Sequence, residues 1–136
     1  PMARGVAREA AMQLIYENML GGDGGEETLR DLMGFAPQED DEAYIATTVA
    51  GVREHGEALD RLIAKHLIRW TIDRLARVDL AILRLAAYEI FYRDDIPDAV
   101  AVNEAVELSH RFSTEEAGPF INGVLGNLLR SGDRPE

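Results

Sequence analysis

D-I-P-D-A-V-A-V-N-E-A-V-E-L-S-H-R-F, from Asp95 to Phe112, and F-I-N-G-V-L-G, from Phe120 to Gly126, read as two helices with their ends written in. Pro97 fixes φ and biases Ile96 away from the α region, so the first helix is expected to begin at about Asp98. Val102, Val106 and Phe112, with Ala99, Ala105 and Leu108 beside them, give it an apolar stripe at helical spacing. Ser113 and Glu116 stand in capping-box spacing, and Pro119 suits the first turn of a helix carrying Phe120, Val124, Leu125 and Leu128. Glycine inside a helix costs about 0.8–1.0 kcal/mol relative to alanine. Gly123 and Gly126 therefore suggest close approach of another helix or a ligand.

Working outward, helical periodicity dominates and nothing reads as an alternating strand. A first helix is expected from Ala3 to about Leu20, with Val6, Ala7, Ala10, Ala11 and Leu14 turned inward and Gly21 and Gly22 ending it. G-G-D-G-G from Gly21 to Gly25 is a flexible connection. A short helix from about Glu26 to Met33 should stop at Gly34, with Pro37 opening an acidic turn. Tyr44, Ile45, Thr48, Val49 and Val52 mark a further helix, which either continues through Gly56 to Leu59, Leu62 and Ile63 or breaks there. Thr71 to Ala76 reads as a single turn. Asp79 is placed as the cap of the next helix, whose Ile82, Leu83, Ala86, Ile90 and Phe91 are too apolar for a surface position. The expectation is an all-α bundle of about seven helices in a single domain from residue 2 to 136. Pro1 ahead of Met2 reads as an addition before the natural start.

The chain of 136 residues contains no cysteine, which excludes disulfides and thiolate metal sites. No apolar run approaches the roughly 20 residues of a membrane span, and a cytoplasmic protein is expected. The net charge of −11 argues against nonspecific coating of nucleic acid, which depends on neutralising phosphates. Its distribution is uneven. Eleven acidic residues lie between Asp23 and Asp60 against Arg30 and Arg53, whereas Arg61, Lys65, Arg69, Arg74, Arg77 and Arg84 outnumber Asp73 and Asp79 in the following segment. Arg61, Lys65 and Arg69 fall along one side of a helix, either a solvated face or a binding stripe.

No catalytic constellation emerges. His55, His66 and His110 are dispersed, and no serine sits in a nucleophile motif. Glu107 and His110 form one Glu-x-x-His pair, but a carboxylate-bridged metal site needs two. No catalytic residue, metal or cofactor is expected.

The two opening segments, together with L-D-R-L-I from Leu59, W-T-I-D-R-L-A-R-V-D-L-A-I-L-R-L-A-A-Y-E-I from Trp70 and A-R-E-A-A-M-Q-L-I-Y from Ala7, resemble the NusB family of transcription antitermination factors. That resemblance implies a helical RNA-binding adaptor, not an enzyme, which pairs with NusE, a protein of the small ribosomal subunit. The pair recognises the boxA element of ribosomal RNA leaders and acts on the transcription elongation complex. The resemblance implies RNA contacts at Arg4, Arg8, Gln13, Tyr16, Glu116, Phe120, Asn122 and Gly123. It implies NusE contacts at Arg77, Asp79 and Arg84.

The residues leave alternatives beside these roles. Phe120 suits core packing, Asn122 a local hydrogen bond, and Glu116 a cap, while Trp70 and Tyr88 read as interface anchors or, as such residues more often are, as core. Ile15 and Met19 on the first helix would serve either a homodimer or the core. Gly5 and Val6 stand where the family carries further arginines. With the acidic balance, this leaves a second reading, a protein-interaction module with weakened or lost RNA binding.

Overall fold

A computed structural model describes residues 4–22 and 39–136, with side chains described from 5 to 22 and from 41 onward. The helix expected at Glu26–Met33 and the Pro37 turn lie outside the described residues, as does the side chain of Arg4. Among the described residues the chain forms five α-helices: α1 (Arg4–Met19), α2 (Glu39–Lys65), α3 (Arg77–Tyr92), α4 (Asp98–Phe112) and α5 (Ala117–Ser131). A 3₁₀ turn at Ile72–Arg74 precedes α3, and no strand occurs among the described residues.

Of the two courses open at Gly56 the structure takes the first, and α2 runs on unbroken through 27 residues. Helix propensity is a weak local cost, and here packing overrides it. Val52 on one side of Gly56 and Leu59, Leu62 and Ile63 on the other all bury against the same interior. The close helix approach occurs instead at Gly51. A Cβ there would clash with Cε1, Cζ and Oη of Tyr88 on α3.

α3 is the central helix, buried from Leu80 to Leu83 and from Leu85 to Glu89. It packs against α1, α2, α4 and α5. A smaller apolar cluster joins Ala7, Ala10, Ala11 and Leu14 of α1 to Tyr44 and Ile45 of α2, with Ile96 and Ala101. The small side chains of α1 let it lie close to α2, while Val6 is 45% exposed and points away from the core expected for it. Ile15 is buried and Met19 packs against the core, so neither is a free apolar contact for a second copy.

α4 begins at Asp98, directly after Pro97, as the proline dictates. Ala101, Ala105 and Leu108 form its buried stripe, with Val102 and Phe112 packed at its edge, whereas Ala99 is exposed. α5 ends at Gly132, whose φ of 76° is the left-handed conformation that closes many helices. The caps differ from expectation. Glu116 makes no side-chain cap, and α3 begins at Arg77 so that Asp79 lies inside its first turn. The Ser113 hydroxyl donates to Asp79 Oδ1 at 2.6 Å, tying the end of α4 to the start of α3.

Candidate nucleic-acid interface

Helix α1 presents two of the predicted RNA contacts to one groove. Gln13 and Tyr16, with Met12, Leu20, Val78 and Phe112, line a depression of about 760 Å³. Tyr16 is half-buried against the core and partly accessible. An aromatic ring beside an amide suits an unstacked base.

Arg8 faces the other way. Its Nε donates to both carboxylate oxygens of Glu89 at 3.0 and 2.9 Å, and Tyr44 Oη donates to the same carboxylate. A second acid, Glu104, lies 3.6 Å from Nη1. Arg8 and Glu89 are only 4% and 1% exposed. A phosphate reaches this guanidinium only by displacing its buried partner. The expected surface contact is thus an internal brace between α1 and α3, and the sequence missed it because Glu89 is 81 residues away.

On α5, Phe120 and Gly123 line a second groove of about 210 Å³ with His66, Ile68, Trp70 and Asn127. Gly123 is exposed and a Cβ there would meet nothing within 4 Å, so no helix approaches it. The atoms nearest to a Cβ at Gly126 belong to the Arg130 side chain. Asn122 is exposed and turns to a third depression, shared with Asn103, Glu107 and His110. Glu116 is exposed at the start of α5. The predicted RNA residues therefore distribute over separate grooves. His110 and Glu107 approach to 3.8 Å in solvent, and no group of three or more potential metal ligands occurs among the described residues.

The predicted partner residues are each engaged within the chain. Arg77 donates to the carbonyls of Ile72 and Asp73 at 3.2 Å and of Leu75 at 3.3 Å, holding the 3₁₀ turn on α3. Arg84 donates to both oxygens of Asp60 on α2, with Nε at 2.7 Å. Asp79 accepts from Ser113. The charges of Arg84 and Asp79 are thus engaged within the chain. The Thr71 hydroxyl and the backbone amide hold the Asp73 carboxyl below its ordinary range, with Arg74 and Arg77 adding to the effect.

Trp70, with the core favoured over an interface as its place, is 50% exposed, with Ile68 70% exposed beside it. Between them Arg69 has a φ of 67°, a left-handed conformation that costs a non-glycine residue about 1–2 kcal/mol. The helix ends through bonds from His66 N to Ile63 O and Leu67 N to Ala64 O, and Leu67 is buried. The chain then reverses sharply at Arg69. Periodicity could not reveal this exposure because Trp70 lies outside any helix.

The family model for the NusB family matches residues 6–130. The transcription antitermination protein NusB of Acetivibrio thermocellus is 46% identical over 130 residues, covering 95% of this chain and 90% of that protein. The structure resembles Thermotoga maritima NusB with a TM-score of 0.87 and 28% identity, covering 100% of this chain and 95% of the other. It also resembles a chain from a crystal structure of antitermination factors NusB and NusE in complex with double-stranded RNA. That TM-score is 0.82 at 28% identity, with 94% of this chain and 96% of the other covered.

Proposed function

The chain belongs to the NusB family, and from that premise we propose that it is a transcription antitermination factor binding the boxA RNA of ribosomal RNA transcripts together with NusE. The observation that carries this reading is the match along nearly the whole chain, joined to a fold shared with a chain from a NusB–NusE–RNA complex. The protein works as one cytoplasmic domain, by binding and without a catalytic step, on the transcription elongation complex. No described helix is long and apolar enough to cross a membrane.

The role of Arg8 changes within this reading. Its guanidinium supports α1 from inside, so RNA contact falls to the exposed rim of that helix and to the grooves along α1 and α5. Gln13 and Tyr16 supply one stacking and hydrogen-bonding element, and Phe120, Asn122 and Gly123 line the others. With a net charge of −11, isolated binding is weak, and NusE raises the affinity.

A titration of labelled boxA RNA with and without NusE tests this. Binding should be weak alone, several-fold tighter with NusE, and lost with a scrambled RNA. Equal binding to both RNAs in both conditions would refute it. The burial of Arg8 specifically favours a second reading, a protein-interaction module without RNA recognition. NusE binding that is undiminished while boxA preference is absent would select that reading.

A further inference from the structure

We propose that the groove between the Leu67–Trp70 segment and α5 is a base-stacking subsite for single-stranded RNA, with Trp70 as its platform. The inference rests on the RNA-binding reading above and adds to it a residue that stood outside the predicted contacts.

Trp70 keeps half of its surface in water beside the still more exposed Ile68, although both follow a buried Leu67. Phe120 lines the same groove, so two aromatic side chains border one small cavity. No acidic side chain lines it in a chain of net charge −11. Lys65 and Arg69, both exposed and each next in sequence to a residue lining the groove, form no ion pair among the described residues. Asn127 receives Arg130 Nη2 on its Oδ1 at 2.6 Å, which leaves its amide hydrogens for a base edge.

Those features match one chemistry. An aromatic face takes any base, an amide reads an edge, and two cations meet the flanking phosphates. The open space above Gly123 leaves room for the backbone of the strand. An apolar protein partner would be served by Ile68 and Trp70 alone. It would leave the cations and the amide without a role.

The chain has a single tryptophan, so incorporation of 5-fluorotryptophan gives one fluorine resonance reporting on Trp70. Saturating boxA RNA should shift that resonance, and Trp70→Ala should weaken RNA binding about 5- to 20-fold in the presence of NusE, with Trp70→Phe restoring most of it. Lys65→Ala with Arg69→Gly should lower the salt slope by about 0.7 per lost phosphate contact. Arg69→Gly suits the left-handed backbone, so loss of fold does not confuse the result. An unshifted resonance at saturation, or unchanged RNA affinity of Trp70→Ala, overturns the subsite while leaving the boxA reading intact. A shift produced by NusE alone and unaltered by RNA assigns the groove to protein and also overturns it. Failure of the unsubstituted chain to prefer boxA over scrambled RNA overturns both readings.

Discussion

In one region of the molecule the Arg8–Glu89 pair is buried where α1, α2 and α3 meet, and in another a tryptophan and an isoleucine stand largely in water after α2. Arg8 and Glu89 have surrendered their hydration and are held by each other, by Tyr44 and by Glu104. Trp70 and Ile68 have kept much of theirs, at 50% and 70% exposed. The two regions differ in what substitution should reveal. A buried charge depends on its partner, because removing one member strands the other in a medium that solvates it poorly. An exposed aromatic contributes little to folding, so a ligand is the place to look for its effect.

The largest expected effect lies in the buried cluster. Glu89→Ala should cost about 3–5 kcal/mol in urea denaturation, since Arg8 would remain buried without its principal partner. Arg8→Ala belongs to the same class, and any loss of RNA binding it causes must be read after correction for unfolded protein. The double change Arg8→Met with Glu89→Leu should recover most of that loss, because an apolar pair of similar volume needs no compensation. A loss below about 1 kcal/mol for Glu89→Ala would show that water reaches Arg8 and would erase the contrast with Trp70.

Next in size is Gly51→Ala, at the contact between α2 and α3. The added methyl would overlap the Tyr88 ring, which stacks on Tyr92 at 5.4 Å, itself stacked on His55 at 4.1 Å. That column restricts sideways escape of the ring. Overpacking costs about 1–3 kcal/mol, against which alanine recovers up to about 1 kcal/mol of helix propensity. Thermal denaturation should therefore show a net loss, and a gain in Tm would mean that Tyr88 moves freely.

These positions also show which parts of the design the chain carries locally. Pro97 and Pro119 mark the starts of α4 and α5 because a proline restricts its own neighbours, and Gly132 closes α5 for an equally local reason. The central place of α3 follows from its apolar run. The Ser113–Asp79 bond, the Arg8–Glu89 pair and the Gly51–Tyr88 contact join residues 34, 81 and 37 positions apart, and nothing in a local pattern signals them. Asp79 resembled a cap because aspartate commonly caps, yet its acceptor is used across helices. Gly123 resembled a packing glycine, yet its surroundings are open. The candidate site was legible as a set of residues on α1 and α5, while its division among grooves, and Trp70 beside one of them, depended on how those helices meet.

The smallest expected effect on stability is that of Trp70→Ala, and its smallness gives the comparison its force. Half of the indole is already solvated, and no hydrogen bond ties its ring nitrogen to a described residue. Removing it exposes limited new apolar surface, so urea denaturation should move by no more than about 0.5 kcal/mol. A loss of 2 kcal/mol or more, of the order expected for a buried aromatic, would make Trp70 a structural residue like Arg8. If stability instead holds while RNA affinity falls, retention of the indole is explained by binding. The two regions would then divide cleanly, with the buried charges maintaining the helices and the exposed aromatic engaging what lies outside them.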